Sequence, residues 1–347
     1  ICEPIPSQCA QAPNGELKEN ILGVSSAIET LQSLLADDLE AVERLLVARA
    51  ASPVAMIPDM SGYIVGAGGK RLRPMVTLAA AHVAGGATPA THALATAVEY
   101  IHTATLLHDD VVDESDLRRG QASANAIWGN EASVLTGDYL LSKAFHMLTE
   151  LRNLEVLRLM SRTTTLMAKG EILQLKCSIG EVDEKEYLNI IFHKTACLFG
   201  SAAQSGALLA KASSEEAECL RRYGEALGMA FQIVDDALDY EESPQTGKQA
   251  GTDLLERKIT MPLIHLIRNV NERDRRHFEN MLRKSRLDME QVPKVIRMMR
   301  LNGSIEYSLN RARDYADAAV RETLGLPRSL DLTVLQQVAE YILSRNH

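Results

Sequence analysis

The chain has 347 residues and a net charge of −9, which argues against a general nucleic-acid-binding protein with a basic surface. Aromatic residues make up only 4% of the sequence, while alanine, leucine and methionine are frequent, so helices are favoured over strands. The five cysteines show no zinc-ligand spacing, and no apolar run is long enough to span a membrane. We therefore expect a cytoplasmic protein without a transmembrane segment.

The spacing of apolar residues predicts helices along almost the whole chain. Residues 1–15 are rich in proline, glutamine and small residues, and we interpret them as a flexible leader. No linker or repeat divides the rest, so residues 16–347 are predicted to form one all-helical domain without a confident strand. The predicted helices cover about 16–49, a short segment ending near 65, 74–84, 90–112, 121–126, 131–150, 153–177, 184–211, 215–240, 258–270, 273–284, 289–301, 303–324 and 330–345.

The helix predicted over residues 90–112 runs directly into a group of aspartates. Asp109 and Asp113 are four residues apart and share one helix face, with roughly 5–6 Å between their Cβ atoms. Adjacent like charges are unfavourable unless a cation lies between them, and Mg²⁺ takes a few carboxylate ligands together with substrate phosphates. Asp110 points about 100° away, so we expect it to play a supporting role. A single motif of this kind is equally compatible with a solvated acidic turn.

The same pattern recurs at the end of a second apolar run. Asp235 and Asp239 share a face, Asp236 lies off it, and Gln232 lies one turn before Asp235, where it could bind a ligand or orient a carboxylate. If this helix faces the helix that carries Asp109, two acidic helix ends would hold a metal–diphosphate cluster between them. The recurrence makes solvated turns the less favoured interpretation.

Basic residues accompany both motifs and could bind phosphates. Lys70, Arg71 and Arg73 lie in a glycine-rich turn whose backbone N–H groups could also face an anion, although the turn lacks the Walker A spacing. Arg118 and Arg119 follow the first motif and suit bidentate phosphate contacts. Further candidates, each more often a solvated surface residue when considered alone, are Lys194, Lys248 and Lys258.

The helix before the first motif carries histidines and small residues. His102 and His108 have no zinc-ligand spacing, so we interpret them as hydrogen-bonding groups. Ala104 lies about 7.5 Å from Asp109 along the axis, next to Thr105. These small side chains would leave room beneath a metal site, but close helix packing explains them equally well.

Together these residues resemble the trans-isoprenyl (polyprenyl) diphosphate synthase family, especially its long-chain, octaprenyl-type members. The matching segments follow in the family order and cover about residues 60–265. They are GGKRLRP (68–74), HTATLLHDDVVDESDLRRG (102–120), GNEASVLTGDYLLSKAF (129–145), GEILQL (170–175), HKTACLF (193–199), FQIVDDALDY (231–240) and GKQAGTDLLERKITMP (247–262).

The resemblance implies a single helical bundle around a deep central cavity, the isoprenoid synthase fold, usually as a homodimer. It implies condensation of an allylic diphosphate with successive isopentenyl diphosphates to a long-chain all-trans polyprenyl diphosphate, a quinone side-chain precursor. Three Mg²⁺ ions are implied per active site. Their implied ligands are Asp109, Asp113 and Asp235, supported by Asp110, Asp236 and Asp239.

The resemblance also implies roles for the basic and polar residues. The allylic diphosphate would be held by Arg118, Lys194 and Lys248. Isopentenyl diphosphate would be held by Lys70, Arg73, His102 and Arg119. Thr195 and Gln232 would flank the developing carbocation, and Lys258 would neutralise the departing diphosphate. Product length in this family is limited by bulky residues at the positions of Ala104 and Thr105, whereas alanine permits further elongation.

Three alternatives stay open at this point: a shorter-chain farnesyl or geranylgeranyl synthase, a class I terpene cyclase, and a non-catalytic subunit of a heteromeric synthase. Cyclases usually replace the second aspartate motif and need no isopentenyl diphosphate site, whereas this chain retains both features. Non-catalytic subunits tend to lose their acidic motifs, and both motifs are intact here.

Overall fold

The structure is a computed structural model that describes residues 26–66, 69–118, 120–176, 183–241, 250–282, 290–327 and 329–343, and over these ranges the chain is almost entirely helical. The helices are α1 (Ser26–Leu34), α2 (Ala36–Ala50), α3 (Met56–Gly66), α4 (Leu72–Val83), α5 (Pro89–Val112), α6 (Ala124–Trp128), α7 (Asn130–Glu150), α8 (Leu154–Lys176), α9 (Glu184–Ile191), α10 (Cys197–Leu209), α11 (Ser214–Leu238), α12 (Thr252–Leu255), α13 (Met261–Asn269), α14 (Glu272–Leu282), α15 (Val292–Leu301), α16 (Ser304–Glu322) and α17 (Leu330–Leu343). A π-helical turn, Phe192–Ala196, joins α9 to α10, and a hairpin of β1 (Leu117–Arg118) and β2 (Gln121–Ala122) follows α5. Within the described ranges, no helix combines the length and apolarity needed to cross a membrane.

The all-helical, single-domain prediction is confirmed, and most predicted helices agree with the observed ones within a few residues. Three details are wrong. The helix predicted over 16–49 is interrupted at Leu35, which is buried like Leu31 and Val42, so the apolar spacing continues through the break. Residues 16–25 of that prediction lie outside the described residues. The helix predicted over 121–126 begins as strand β2, and the one over 184–211 contains the π-helical turn. The proposed leader, 1–15, lies outside the described residues.

Both helices that end in aspartates also have strong N-terminal caps. Helix α5 begins with a capping box in which the Thr88 backbone N–H donates to Thr91 Oγ1 at 2.8 Å, and proline follows as the first helical residue. Helix α11 begins with the equivalent pair, in which the Ser213 N–H donates to Glu216 Oε2 at 2.8 Å. The caps supply partners for N–H groups that would otherwise be unpaired, and so define where these two long helices start.

Helix α10 packs against α4, α5, α8 and α11, while α5 packs against α7 and α11 against α16. Gly206 on α10 makes the contact with α4 possible, because a Cβ atom at this position would clash with the carbonyl oxygen of Thr77. Most buried apolar side chains form one core along these helices. A second, smaller core follows the second aspartate motif and includes Tyr240, Leu254, Leu263, Leu266 and Phe278.

We expect Gly206→Ala to lower the free energy of unfolding by about 1–3 kcal/mol, because the added methyl group must push α10 away from α4. Gly62→Ala is the matched control, since Gly62 lies inside α3 and a Cβ atom there would meet no neighbouring atom within 4 Å. The control should gain about 0.5–1 kcal/mol from its higher helix propensity. Urea denaturation measures both changes, and equal effects at the two glycines would contradict the packing argument.

Candidate active site

The first aspartate motif divides into two accessible carboxylates and one buried carboxylate. Asp109 and Asp113 are partly accessible at the end of α5, whereas Asp110 is only 1% exposed. Asp110 Oδ1 accepts hydrogen bonds from Arg118 Nε and Nη2, both at 2.6 Å, and its backbone carbonyl accepts one from Asn125. Asp110 therefore ties the β-hairpin to α5, and its supporting role at a metal site stays a prediction. Arg118 is engaged by Asp110 here, and its binding of an allylic diphosphate stays a prediction.

Two lysines from other elements reach the accessible carboxylates. Lys194 Nζ lies 3.9 Å from Asp109 Oδ2 and 2.8 Å from Glu171 Oε1. Lys258 Nζ donates to Asp113 Oδ2 at 2.7 Å and to Glu256 at the same distance. Because Lys258 follows the second aspartate motif, its contact with Asp113 brings that part of the chain to the end of α5.

Burial makes the charges in this site interact strongly. It raises the pKa of Asp109 to about 6, and the like charges of Glu171 and Asp113 add to this effect while Lys194 opposes it. Burial also disfavours the ammonium groups of Lys194 and Lys258, but neighbouring carboxylates more than offset it, so the pKa of each lysine is raised. The site thus holds charged lysines beside Asp109, a carboxylate whose ionisation is costly.

The π-helical turn places Lys194 and Thr195 in the site. Gly170 on α8 allows this turn to approach closely, since a Cβ there would lie 2.8 Å from the backbone nitrogen of Lys194. Such turns carry one residue more than an α-helical turn, and they are frequent at functional sites. The irregular backbone therefore coincides with the polar residues that the sequence analysis selected.

Thr195 begins a chain of hydrogen bonds that ends at the second aspartate motif. Its hydroxyl donates to Gln232 Oε1 at 2.8 Å, and Gln232 Nε2 donates to Asp236 Oδ1 at 2.7 Å. Tyr187 donates to the other oxygen of Asp236, also at 2.7 Å. Burial raises the pKa of Asp236 to about 7, although both hydrogen bonds favour the charged form. Gln232 therefore orients Asp236, and Asp235 is the exposed carboxylate of the motif.

Asp253 and Glu171 are two acidic residues of this site to which the sequence assigned no role. The side chain of Asp239 accepts a hydrogen bond from the backbone N–H of Asp253 at 2.9 Å. Burial, together with Asp236 and Asp239, raises the pKa of Asp253 well above its usual range. Glu171 is the second missed residue, bound to Lys194. The sequence could have indicated both residues, because Glu171 and Asp253 both lie in segments that match the family.

The glycine-rich turn sends its basic side chains in different directions. Lys70 Nζ donates to the hydroxyl of Tyr341 on α17 at 2.5 Å, and the Arg73 guanidinium lies 4.6 Å from the ring centroid of Phe199 on α10. Arg71 instead binds the carboxylates of Glu43 and Glu99. Whether the backbone N–H groups of the turn face an anion stays a prediction.

His102, Thr105 and His108, also selected from the sequence, lie on α5. His102 and Thr105 are half-buried on α5, and the Thr105 hydroxyl donates to the carbonyl oxygen of His102 at 2.8 Å. His108 Nε2 lies 3.2 Å from the carbonyl oxygen of Val134, which fits the predicted hydrogen-bonding role. Arg119 and Lys248 lie outside the described residues.

The chemistry of the donors suits magnesium. Asp109, Asp113 and Asp235 offer carboxylate oxygens, which Mg²⁺ prefers, and Mg²⁺ commonly completes its coordination with waters and substrate phosphates. In the part of the chain that the structure describes, no three His, Cys, Asp or Glu side chains converge as a metal site by themselves.

A helical bundle that gathers paired aspartates and partly buried lysines in one site is typical of enzymes that act on diphosphates. The polyprenyl synthetase family model matches residues 54–299, so this chain belongs to that family and is a prenyltransferase. The resemblance seen in the sequence is confirmed.

Named relatives and a solved structure agree with this assignment. The chain is 41% identical to octaprenyl diphosphate synthase of Escherichia coli (strain K12), covering 86% of this chain and 93% of the relative. It is 39% identical to all-trans-nonaprenyl-diphosphate synthase (geranyl-diphosphate specific) of Rhodobacter capsulatus, covering 92% and 99%. The crystal structure of a polyprenyl synthase from Caulobacter crescentus CB15, complexed with calcium and isoprenyl diphosphate, matches with a TM-score of 0.89 and 39% identity over 92% of this chain and 98% of that one.

The raised pKa of Asp109 predicts a pH-dependent stability effect. The folded carboxyl group, with a pKa of about 6, binds its proton more tightly than the unfolded one, so stability falls as the pH rises through about 4 to 6. In metal-free protein, Asp109→Asn should therefore raise the free energy of unfolding at pH 8 by about 1–3 kcal/mol, with little gain near pH 4.

Urea denaturation at both pH values, in the presence of a chelator, measures this difference. Asp317→Asn on the exposed face of α16 is the control and should change stability by less than about 0.5 kcal/mol. A gain at Asp109 that is equal at the two pH values would show that burial of the charge is not its cause.

Proposed function

We propose that this chain condenses an allylic diphosphate with successive isopentenyl diphosphates to form a long-chain all-trans polyprenyl diphosphate, a precursor of quinone side chains. The observation that carries the proposal is the junction at the end of α5, where Lys194 lies by Asp109 and Lys258 binds Asp113. The octaprenyl and nonaprenyl products named for its relatives support a long product.

Magnesium would be held by Asp109, Asp113 and Asp235, with three ions per active site. When bound, the ions neutralise the diphosphate and make it a better leaving group. Asp110 and Asp236 would support this arrangement through their hydrogen bonds to Arg118 and Gln232, and Asp239 would do so through the backbone of Asp253.

The cationic side chains would position the allylic diphosphate and stabilise its departure. Lys194, Arg118 and Lys248 would hold the diphosphate, and Lys258 would offset the charge that develops as the carbon–oxygen bond breaks. The resulting allylic cation is attacked by the isopentenyl double bond, a carbon–carbon bond forms, and a proton leaves to the bound diphosphate. The oxygens of Thr195 and Gln232 would flank the cation, while apolar walls exclude water that would otherwise capture it.

Isopentenyl diphosphate would bind at the glycine-rich turn. Lys70 and Arg73 provide positive charge there, and His102 and Arg119 would complete the site. The contacts of Lys70 with Tyr341 and of Arg73 with Phe199 support two defined side-chain positions beside this turn. The central cavity, the homodimer and the cytoplasmic location stay predictions.

Replacing Asp109 or Asp235 by alanine is expected to reduce condensation to background, because each loss removes a proposed magnesium ligand. Incorporation of labelled isopentenyl diphosphate into extractable products measures this, with circular dichroism to confirm folding. Asp317→Ala is the control and should keep full activity. A folded Asp109→Ala or Asp235→Ala enzyme with normal turnover would refute the assigned ligands.

Product length provides a separate prediction. Ala104 is buried on α5 at 1% exposure, about 7.5 Å from Asp109 along the helix axis. Ala104→Phe should shorten the main product, because the ring would occupy space needed by the growing tail, whereas Ala104→Ser should leave its length unchanged. Chromatography of products made from farnesyl diphosphate and labelled isopentenyl diphosphate compares the variants. An unchanged product length from a folded Ala104→Phe enzyme would show that the residue at position 104 does not limit product length.

The same assay distinguishes the alternatives. A wild-type product of only farnesyl or geranylgeranyl length would favour a shorter-chain synthase over the long-chain proposal. A cyclised hydrocarbon from farnesyl diphosphate alone would indicate a terpene cyclase. Activity that appears only after a second protein is added would indicate a subunit of a heteromeric synthase.

A further inference from the structure

Arg71 lies between Lys70 and Arg73 in sequence, but its guanidinium is bound inside the fold. Its Nε donates to Glu43 Oε1 at 2.6 Å, its Nη1 to Glu99 Oε1 at 3.0 Å, and its Nη2 to the carbonyl oxygen of Val65 at 2.8 Å. The side chain is only 14% exposed. All three guanidinium nitrogens therefore serve internal contacts.

These contacts tie the glycine-rich turn to three helices. Glu43 lies on α2, Glu99 lies on α5, and Val65 lies in the last turn of α3, where a helix leaves carbonyl groups without helical partners. Arg71 itself has φ of 48° and ψ of 37°, a left-handed conformation that is uncommon for residues other than glycine. Such a conformation persists where surrounding contacts determine it, and the three bonds of Arg71 supply those contacts.

The contact with Glu99 relates the turn to the aspartate motif. Glu99 precedes Asp109 by ten residues on the same continuous helix, which places it about 15 Å away along the axis. A side chain that binds Glu99 therefore sets the position of the turn relative to Asp109 and Asp113. Lys70 and Arg73, proposed to bind isopentenyl diphosphate, lie at one end of this connection, and the aspartates proposed to bind magnesium lie at the other.

We propose that Arg71 is a positioning residue for isopentenyl diphosphate: by binding Glu43, Glu99 and the end of α3, it holds Lys70 and Arg73 at a set distance from the aspartates of α5. This inference rests on the proposed function and adds a residue that acts through its neighbours without touching the substrate. A lysine cannot replace it, because a single ammonium group lacks the planar fork that reaches three acceptors in three directions.

The test compares Arg71→Met and Arg71→Lys with the wild-type enzyme. The KM for isopentenyl diphosphate should rise about tenfold or more in Arg71→Met, since small displacements of binding groups have large kinetic effects. The KM for farnesyl diphosphate should change less than about twofold, because Lys194 and Asp109 are untouched. Arg71→Lys should show an intermediate rise. Arg44→Met, which removes an exposed arginine of α2 that pairs only locally with Glu40, is the matched control and should leave both constants unchanged.

A second variant separates positioning from folding. Arg71→Met removes a positive charge from beside Glu99, which is 6% exposed, and this loss can destabilise the protein. The double variant Arg71→Met/Glu99→Gln also removes the buried negative charge, so its melting temperature should recover towards that of the wild type. Its KM for isopentenyl diphosphate should stay high, because the turn is still not held.

Each outcome bears on one hypothesis. Recovery of the KM for isopentenyl diphosphate in the double variant would show that Arg71 only neutralises Glu99, and would overturn the proposal. Equal increases in the KM of both substrates for Arg71→Met would also overturn it. If the wild-type enzyme fails to condense isopentenyl diphosphate at all, the proposed function fails first, and the two failures are therefore distinguishable.

Discussion

The cost of burying a charged carboxylate at the end of α5 is the constraint on which the site depends. Asp109 and Asp113 share one helix face, and burial makes the charge of Asp109 more costly than in water. Lys194 and Lys258 offset part of that cost from the π-helical turn and from the segment after the second motif. The same charge balance, which destabilises the metal-free site, would suit the proposed magnesium ions and diphosphate.

The rest of the fold keeps these charges in place. Capping boxes define the starts of α5 and α11, and the close contacts at Gly206 and Gly170 bring α10 and the π-helical turn against their neighbours. Such packing leaves little freedom for the helices to move apart and admit water to the buried charge of Asp109. The apolar core around the site thus offsets the destabilisation caused by its buried charge, as is common for functional sites.

Neighbouring basic residues have different roles in the structure, and their spacing in the sequence does not reveal which role each one has. Lys70, Arg71 and Arg73 of the glycine-rich turn look equivalent in sequence. Arg71, however, binds Glu43 and Glu99, which lie on other helices, α2 and α5. Asp253 lies in a segment that matches the family, but its position beside Asp239 depends on how the chain returns after α11. Helical periodicity also continued across Leu35, so it did not reveal that break.

The sequence by itself determined the helical class, the family, the two aspartate motifs and which carboxylates of each motif share a helix face. It could do so because these features depend on local spacing, on helix geometry and on segments that match the family. Only the tertiary structure decided which lysine meets which aspartate, that Thr195 binds Gln232, and that Arg71 is internal. Those pairings join residues distant in sequence, and they are selected by packing and by the cost of leaving buried charges without compensation.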